Sequence, residues 1–360
     1  MSNYETLKNK LKNYMAIEAM SRYEEPVAQM LKENTNHPNF TYSRDNLGSL
    51  IIKKTSQKAN APKIMIAAHM DEVGYLVRSI EENGDLLLSV VGGVWPAAII
   101  GTKAKIVTNR ENKIIYGVFG HTSIHIMERE KVSKVPSTKE MYVDCGFKNK
   151  AEAIDFGIEI GDRVYISGEY IEMPNDLVGG KAMDNRAGVT IVDMLANNIA
   201  NLNLDSEIYL VGTVQEEVGC RGAKTSVSLI EPDLAFAIDT GACHDTTGAI
   251  KGTPVLGNGV ALLVQDGGII TNPKFTEMLM SIARKHNIPT YKYIAEGGST
   301  DGAALQYGKG GVPTITLSIP QRYLHSPIGV ASLKDIQATL DLITEFVKEF
   351  NQEKLQEILN

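Results

Sequence analysis

No apolar run in this 360-residue chain reaches the roughly eighteen residues a spanning helix needs, so no membrane segment or membrane partner is expected. Cysteine is scarce. Cys145, Cys220 and Cys243 make an odd number without a C-x-x-C pair, which argues against a disulfide framework or a cysteine-built zinc site and for free thiols in a reducing compartment. There is no excess of basic charge either. The net charge of −7 speaks against a phosphate-backbone binder, so nucleic acid is not expected as a partner. The opening stretch MSNYETLKNKLKNYMAIEAM is too charged for a secretory signal, and a cytoplasmic location is expected. Several single-motif chemistries are also missing. The chain has no H-E-x-x-H, no G-x-S-x-G elbow, no P-loop lysine motif and no G-x-G-x-x-G after a strand.

What is present suits a folded globular chain, with 43 % apolar and 22 % charged residues. Two helices open it, Glu5 to Met15 and a second ending near Asn34. The second is expected to start at a capping box, Ser21-Arg22-Tyr23-Glu24, with Pro26 in its first turn. Asn46 to Lys53 and Lys63 to Ala68 read as strands, the latter (KIMIAA) a short apolar run suited to a buried sheet. From Val73 to Gly168 short β-rich runs alternate with turn residues, and Glu128 to Thr138 reads as a loop. After Gly179 strands and helices alternate: helix Asn185–Asn198, strand Glu207–Val214, helix Ala223–Ser228, strand Leu234–Ile238, helix Asn272–His286, strand Pro289–Ile294, helix Thr300–Tyr307, strand Val312–Ile319 and helices over Leu333–Leu359. The expected fold is therefore α/β, with a mixed-sheet catalytic domain from residues 1–72 and 169–360 and an inserted β-rich, barrel-like domain over 73–168.

Candidate functional residues stand where α/β sheets place their sites, just past the carboxyl ends of strands. His69 and Asp71 follow KIMIAA. A histidine can ligate through one ring nitrogen while a carboxylate orients the other. Asp184 precedes a helix, where it reads first as an N-cap and otherwise as a carboxylate bridging two cations. Glu216 and Glu217 follow the strand Glu207–Val214; adjacent side chains of an extended segment diverge, so one can bind metal while the other moves a proton. Asp239 follows LAFAI, and His325 lies in a loop after the strand Val312–Ile319. Singly each has a bland structural reading. Together, imidazole and carboxylate from separate segments suit zinc, cobalt or manganese, and two such ions could share one water. Gly297–Gly302 reads as a tight turn before a helix. His121, His125, His244 and His286 read as surface or core residues, Trp95 as packing inside the insertion, and Arg221 and Arg322 either as ion pairs or as attractors of an acidic side chain.

The segments AAHMDEVG, GGKAMDNRAG, VQEEVGCRGA, AIDTG and YLHSP resemble, in order and spacing, the M42 family of metallo-aminopeptidases, which includes glutamyl and tetrahedral aminopeptidases. The resemblance implies a peptidase acting on short peptides with a free N-terminus, using two divalent metal ions, zinc first and cobalt or manganese as alternatives. It implies that Asp184 bridges the ions, that His69 and Asp239 complete one site and Glu217 and His325 the other, that Asp71 orients His69, and that Glu216 is the general base for a metal-bridging water. It further implies that the insertion is a dimerisation domain and that the chain is a homo-oligomer, with dimers building a dodecamer. Two departures stand out. Gly120-His121-Thr122-Ser123-Ile124-His125 replaces a Pro-Pro-His motif, and GGSTDGAAL replaces a Gly-Thr-Asp-Ala pattern. Competing readings are a two-metal carboxypeptidase or deacetylase of the M20 type, a glucanase, and a non-catalytic peptide-binding scaffold.

Overall fold

In the computed structural model, which describes residues 3–360, the strand Lys63–His69 lies in the middle of the molecule. Its side chains alternate between two cores. Ile64, Ile66 and Ala68 join Leu7, Leu195 and Phe346 on one face, while Met65 and Ala67 join Val211, Val227 and Leu305 on the other. A strand covered on both faces has no solvent side, so its sequence shows an unbroken apolar run. The helices Asn3–Met15, Met183–Ile199 and Leu333–Glu349 cover the first face, and Arg221–Ile230 and Gly302–Leu305 the second.

The sheet has eleven strands among the described residues. Its centre is parallel, in the order Glu207–Thr213, Lys63–His69, Leu234–Ala242, Thr314–Arg322. Thr213 is in register with His69, and Asp239 with Ser318, so the carboxyl ends of these strands lie side by side. Antiparallel strands flank them: Phe40–Arg44 and Leu50–Lys54 on one side, Gly329–Ser332, Leu177–Gly180 and Ile171–Met173 on the other. Val260–Gln265 branches off antiparallel to Thr314–Arg322 and carries Thr290–Ile294 parallel to itself.

Between His69 and Ile171 the chain leaves this sheet. The strands Gly74–Ile80, Leu86–Val91, Tyr142–Asp144, Ile114–Phe119, Lys103–Val107 and Arg163–Ile166 close, in that spatial order, into a barrel. Tyr75, Val77, Leu88, Ile106, Phe119 and Val164 belong to its own core. The architecture is thus the mixed α/β sheet with an inserted small barrel expected from the sequence. No helix among the described residues is long and apolar enough to cross a membrane.

Some local expectations fail for identifiable reasons. The capping box does not form. The helix Glu25–Asn34 starts after Glu24 without a side-chain cap, because the Ser21 hydroxyl donates to Asp71 and Glu24 accepts from the N–H of Gln215. The strand expected from Asn46 begins only at Leu50, because Asp45 Oδ1 accepts from the N–H groups of Leu47, Gly48 and Ser49 and folds that stretch into a turn. Asp184 is no N-cap: Asn185, which departs from helical dihedrals with it, takes that place, its Oδ1 accepting the N–H of Gly188 at 2.9 Å. Trp95 does not pack inside the insertion; it is 65 % exposed.

One buried ion cluster ties the elements around the strand end. Glu72 accepts from Lys181 Nζ at 2.9 and 2.8 Å, from Arg186 Nη2 at 3.2 Å and from the N–H of Ala19 at 2.8 Å. Arg186 also donates to the carbonyls of Tyr14 and Met70. Removing one partner of such a cluster strands the remaining charge away from water. Glu72→Ala is therefore expected to lower unfolding free energy by about 3–5 kcal/mol in chemical denaturation. A loss below about 1 kcal/mol, the range of exposed pairs, would show that the cluster is solvated.

Candidate metal centre

The parallel strands deliver their side chains to one place. His69 ends its strand, 2 % exposed. Its Nδ1 lies 3.1 Å from the carbonyl oxygen of Asp71 and 3.4 Å from Asp71 Oδ1. Its Nε2 faces Asp184 Oδ1 at 3.0 Å and Asp239 Oδ1 at 3.5 Å. The other oxygen of Asp184 meets His325 Nε2 at 3.1 Å. That nitrogen also lies 3.3 Å from Glu217 Oε1, a buried oxygen with no hydrogen-bond partner among the described residues. His69, Asp184 and Asp239 each bring one ligand-type atom within 4.8 Å of the others, and so do Asp184, Glu217 and His325. Asp184 belongs to both groups.

Asp71 holds the turn that carries the two glutamates. Its oxygens accept the N–H of Glu216 at 3.0 Å and of Glu217 at 3.2 Å, and the Ser21 hydroxyl at 2.6 Å. The barrel closes on the same point. Gly92 has φ +80°, and a Cβ there would stand 3.3 Å from Glu217 Oε2, so this contact requires glycine on both conformational and steric grounds.

The cluster carries more acid than its histidines can balance. Burial pushes Glu216 well above the ordinary carboxylate range, against the pull of His69 and with Asp239 and Asp301 adding to the rise. Burial raises Glu217 to about 7 and Asp239 also upward, despite their histidine partners. His325 moves the other way: burial disfavours its charge, but Asp184 and Glu217 bring it up to about 11. His69 is raised well above its usual value by Asp239, Asp184 and Asp71, again against burial. Burial opposes ionisation of Asp184 as well, yet hydrogen bonds from His325 and His69 hold it below the ordinary range. Without cations, burial favours protons on Glu216, Glu217 and Asp239. Divalent cations would displace those protons and satisfy the same oxygens and ring nitrogens.

The cluster forms the floor of a cavity of roughly 810 Å³, whose walls include Asp266, Tyr293, Glu296 and Thr300, a size suited to a small ligand. Two residues given no role in the sequence reading stand beside Glu216. Asp301, 2 % exposed, accepts from the Thr213 hydroxyl, and burial raises it to about 7. Cys220 lies against Glu216 at 3.4 Å. The signal for Asp301 was an acid inside the glycine-rich turn Gly297–Gly302. His244, expected as a surface or core residue, lines the cavity wall. Arg221 and Arg322 do not line it: the first donates to Gln215, the second grips Asp245 at 2.9 and 2.7 Å. His286 sits elsewhere, sharing Glu349 with Lys285 and Lys354, which makes that group an ion-pair cluster already supplied with cations.

Comparison with known proteins agrees with this architecture. A family model described as M42 glutamyl aminopeptidase matches residues 48–342. The glutamyl aminopeptidase of Lactococcus lactis subsp. cremoris is 35 % identical over 354 residues, covering 98 % of this chain and 99 % of that one. The lysyl aminopeptidase of Pyrococcus furiosus is 30 % identical over 308 residues, covering 85 % and 86 %. Among solved structures, an aminopeptidase of the archaeon Desulfurococcus kamchatkensis superposes with a TM-score of 0.93 at 34 % identity, over 99 % of this chain and 98 % of that one. The TET1 peptidase of Pyrococcus horikoshii, which can assemble into a tetrahedron or a large octahedral shell, gives 0.85 at 29 % identity over 96 % and 100 %. The matched span contains the parallel sheet centre, the whole barrel and every residue of the acid–histidine cluster; this chain belongs to the M42 glutamyl aminopeptidase family and is an aminopeptidase, a hydrolase.

Proposed function

We propose that this aminopeptidase works with two divalent cations held by His69, Asp184, Glu217, Asp239 and His325. Asp184 would bridge them, with His69 and Asp239 completing one position and Glu217 and His325 the other. The observation that carries this reading is the Asp184 carboxylate. Its two oxygens face two different histidines, at 3.0 and 3.1 Å, and each histidine has one further carboxylate beside it. The orphaned oxygen of Glu217 also fits a ligand that waits for a cation. Imidazole with carboxylate suits zinc, with cobalt or manganese as alternatives. Bound there, the cations would supply Lewis acidity toward the scissile carbonyl and make a shared water more acidic.

The rest of the chemistry falls to the protein. Glu216 is the general base: it takes a proton from the attacking water and returns it to the departing amine. Its backbone N–H is pinned by Asp71, which fixes where the carboxylate can reach. Asp71 also occupies the Nδ1 side of His69, leaving Nε2 to face the site. The floor is rich in carboxylates and attracts the protonated N-terminus of a peptide, which favours an aminopeptidase over a two-metal carboxypeptidase. No arginine among the described residues lines the cavity, so the idea that Arg221 or Arg322 selects acidic N-terminal residues loses its support.

The inserted barrel is the natural self-association surface. The strand Ile114–Phe119 exposes Ile114, Tyr116 and Val118 at 50, 55 and 48 %, a period-two apolar row of the kind that marks an interface. Homo-oligomers built from barrel-paired dimers follow, in line with the assembly of the Pyrococcus horikoshii relative.

Four outcomes test this function. Glu216→Gln keeps its metal, measured by elemental analysis, and loses about 10²–10⁴-fold in kcat; a near-normal rate would remove its role. Asp184→Ala loses bound metal as well as activity, and peptides with acetylated N-termini are not cleaved by the wild type. Tyr116→Asp shifts the sedimentation profile toward smaller species without loss of helix content, and an unchanged profile would move the interface elsewhere.

A further inference from the structure

We propose that Glu216, Cys220 and Asp301 form a third cation site, beside the pair described above, and that filling it inhibits the enzyme. The turn after Glu217 sets the geometry. The Glu216 carbonyl accepts the N–H groups of Gly219 and Cys220 at 2.8 and 2.9 Å, which folds the Cys220 side chain back over that of Glu216. Sγ then stands 3.4 Å from Glu216 Oε1 and 3.4 Å from the carbonyl oxygen of Thr300. Glu216, Cys220 and Asp301 each offer one ligand atom within 4.8 Å of the other two.

A second observation points to a ligand. Asp301 is 2 % exposed, and while one of its oxygens accepts from Thr213, Oδ1 has no hydrogen-bond partner. An unpaired carboxylate oxygen away from water is costly, and a cation would offset that cost. The donor set is chemically selective. A thiolate with two carboxylates favours zinc or cobalt, while calcium and magnesium prefer oxygen alone. Glu216, Cys220 and Thr300 line the cavity, so a cation can enter from the substrate side. On binding, the Cys220 thiol releases its proton to water and a sulfur–metal bond forms, with no change of oxidation state. Two carboxylates and a thiolate outweigh one divalent cation, which tempers its repulsion from the neighbouring pair.

The inhibitory consequence rests on Glu216 being the general base, since a carboxylate coordinated to a cation no longer accepts a proton. The site itself does not rest on that reading. The test starts from enzyme holding two equivalents of cobalt and adds cobalt stepwise. A third equivalent is expected to bind and to bring a thiolate-to-cobalt charge-transfer band in the near ultraviolet, which histidine and carboxylate ligands do not give. In a parallel zinc titration, activity falls as the third equivalent binds. Cys220→Ala and Asp301→Asn lose the band and need at least about 10-fold more zinc for the same fractional inhibition, each measured against its own activity at two equivalents. Absence of the band in the wild type, or a Cys220→Ala enzyme equally sensitive to excess zinc, would overturn the proposal. If neither variant folds, the wild-type spectrum still decides. A band without inhibition would uphold the site and remove Glu216 as the base.

Discussion

The carboxylate of Asp71 joins segments that lie far apart along the chain. It accepts the N–H groups of Glu216 and Glu217 and the hydroxyl of Ser21, and it stands beside Nδ1 of His69. Burial works against its charge, yet the His69, Ser21 and Glu216 donors hold it below the ordinary carboxylate range. Hydrogen bonds to the charged form do this wherever several donors converge on one carboxylate. Two consequences follow. His69 has one ring nitrogen left for Asp184 and Asp239, and Glu216 and Glu217 leave the backbone from fixed positions. The next residue points away and does complementary work: Glu72 neutralises Lys181 and Arg186, which lie on either side of Asp184. Consecutive acids therefore lock both flanks of the cluster to the end of one strand.

Much of this was legible because the central strands are buried on both faces. KIMIAA, EIYLVGT and LAFAI are unbroken apolar runs, and each ends within a few residues of a member of the cluster. Parallel strands put their carboxyl ends at one edge of the sheet, so residues distant in sequence had a reason to converge. Less was legible where side chains serve distant partners. Ser21 and Glu24 have the spacing of a capping box, but both hydrogen-bond across the fold to the Asp71 and Gln215 segments. Asp184 looks like a cap in sequence, yet Asn185 does the capping and the Asp184 oxygens face two histidines. The flanking strands Phe40–Arg44, Leu177–Gly180 and Gly329–Ser332 are short and joined to loops, so their periodicity carried little signal. Asp301 was hidden by its glycine-rich setting, since only the fold brings it beneath Thr213.

The barrel and the sheet are not independent neighbours. A side chain at Gly92 would crowd Glu217, and Gly93 lines the cavity together with His325, so the insertion forms part of the wall over the cluster. The same barrel carries an outward apolar row. Self-association through it would hold the wall in place and reduce the routes by which water and substrate reach the cavity. Fold, site and assembly would then share one element.

All of these relations converge on the two oxygens of Asp184. The measurement that tests them most directly is anomalous diffraction at the absorption edge of the bound metal, on crystals of the untreated enzyme. Two peaks about 3.5–4 Å apart are expected, with Asp184 between them, His69 and Asp239 on one, and Glu217 and His325 on the other. A single peak, or a pair that Asp184 does not touch, would contradict the account.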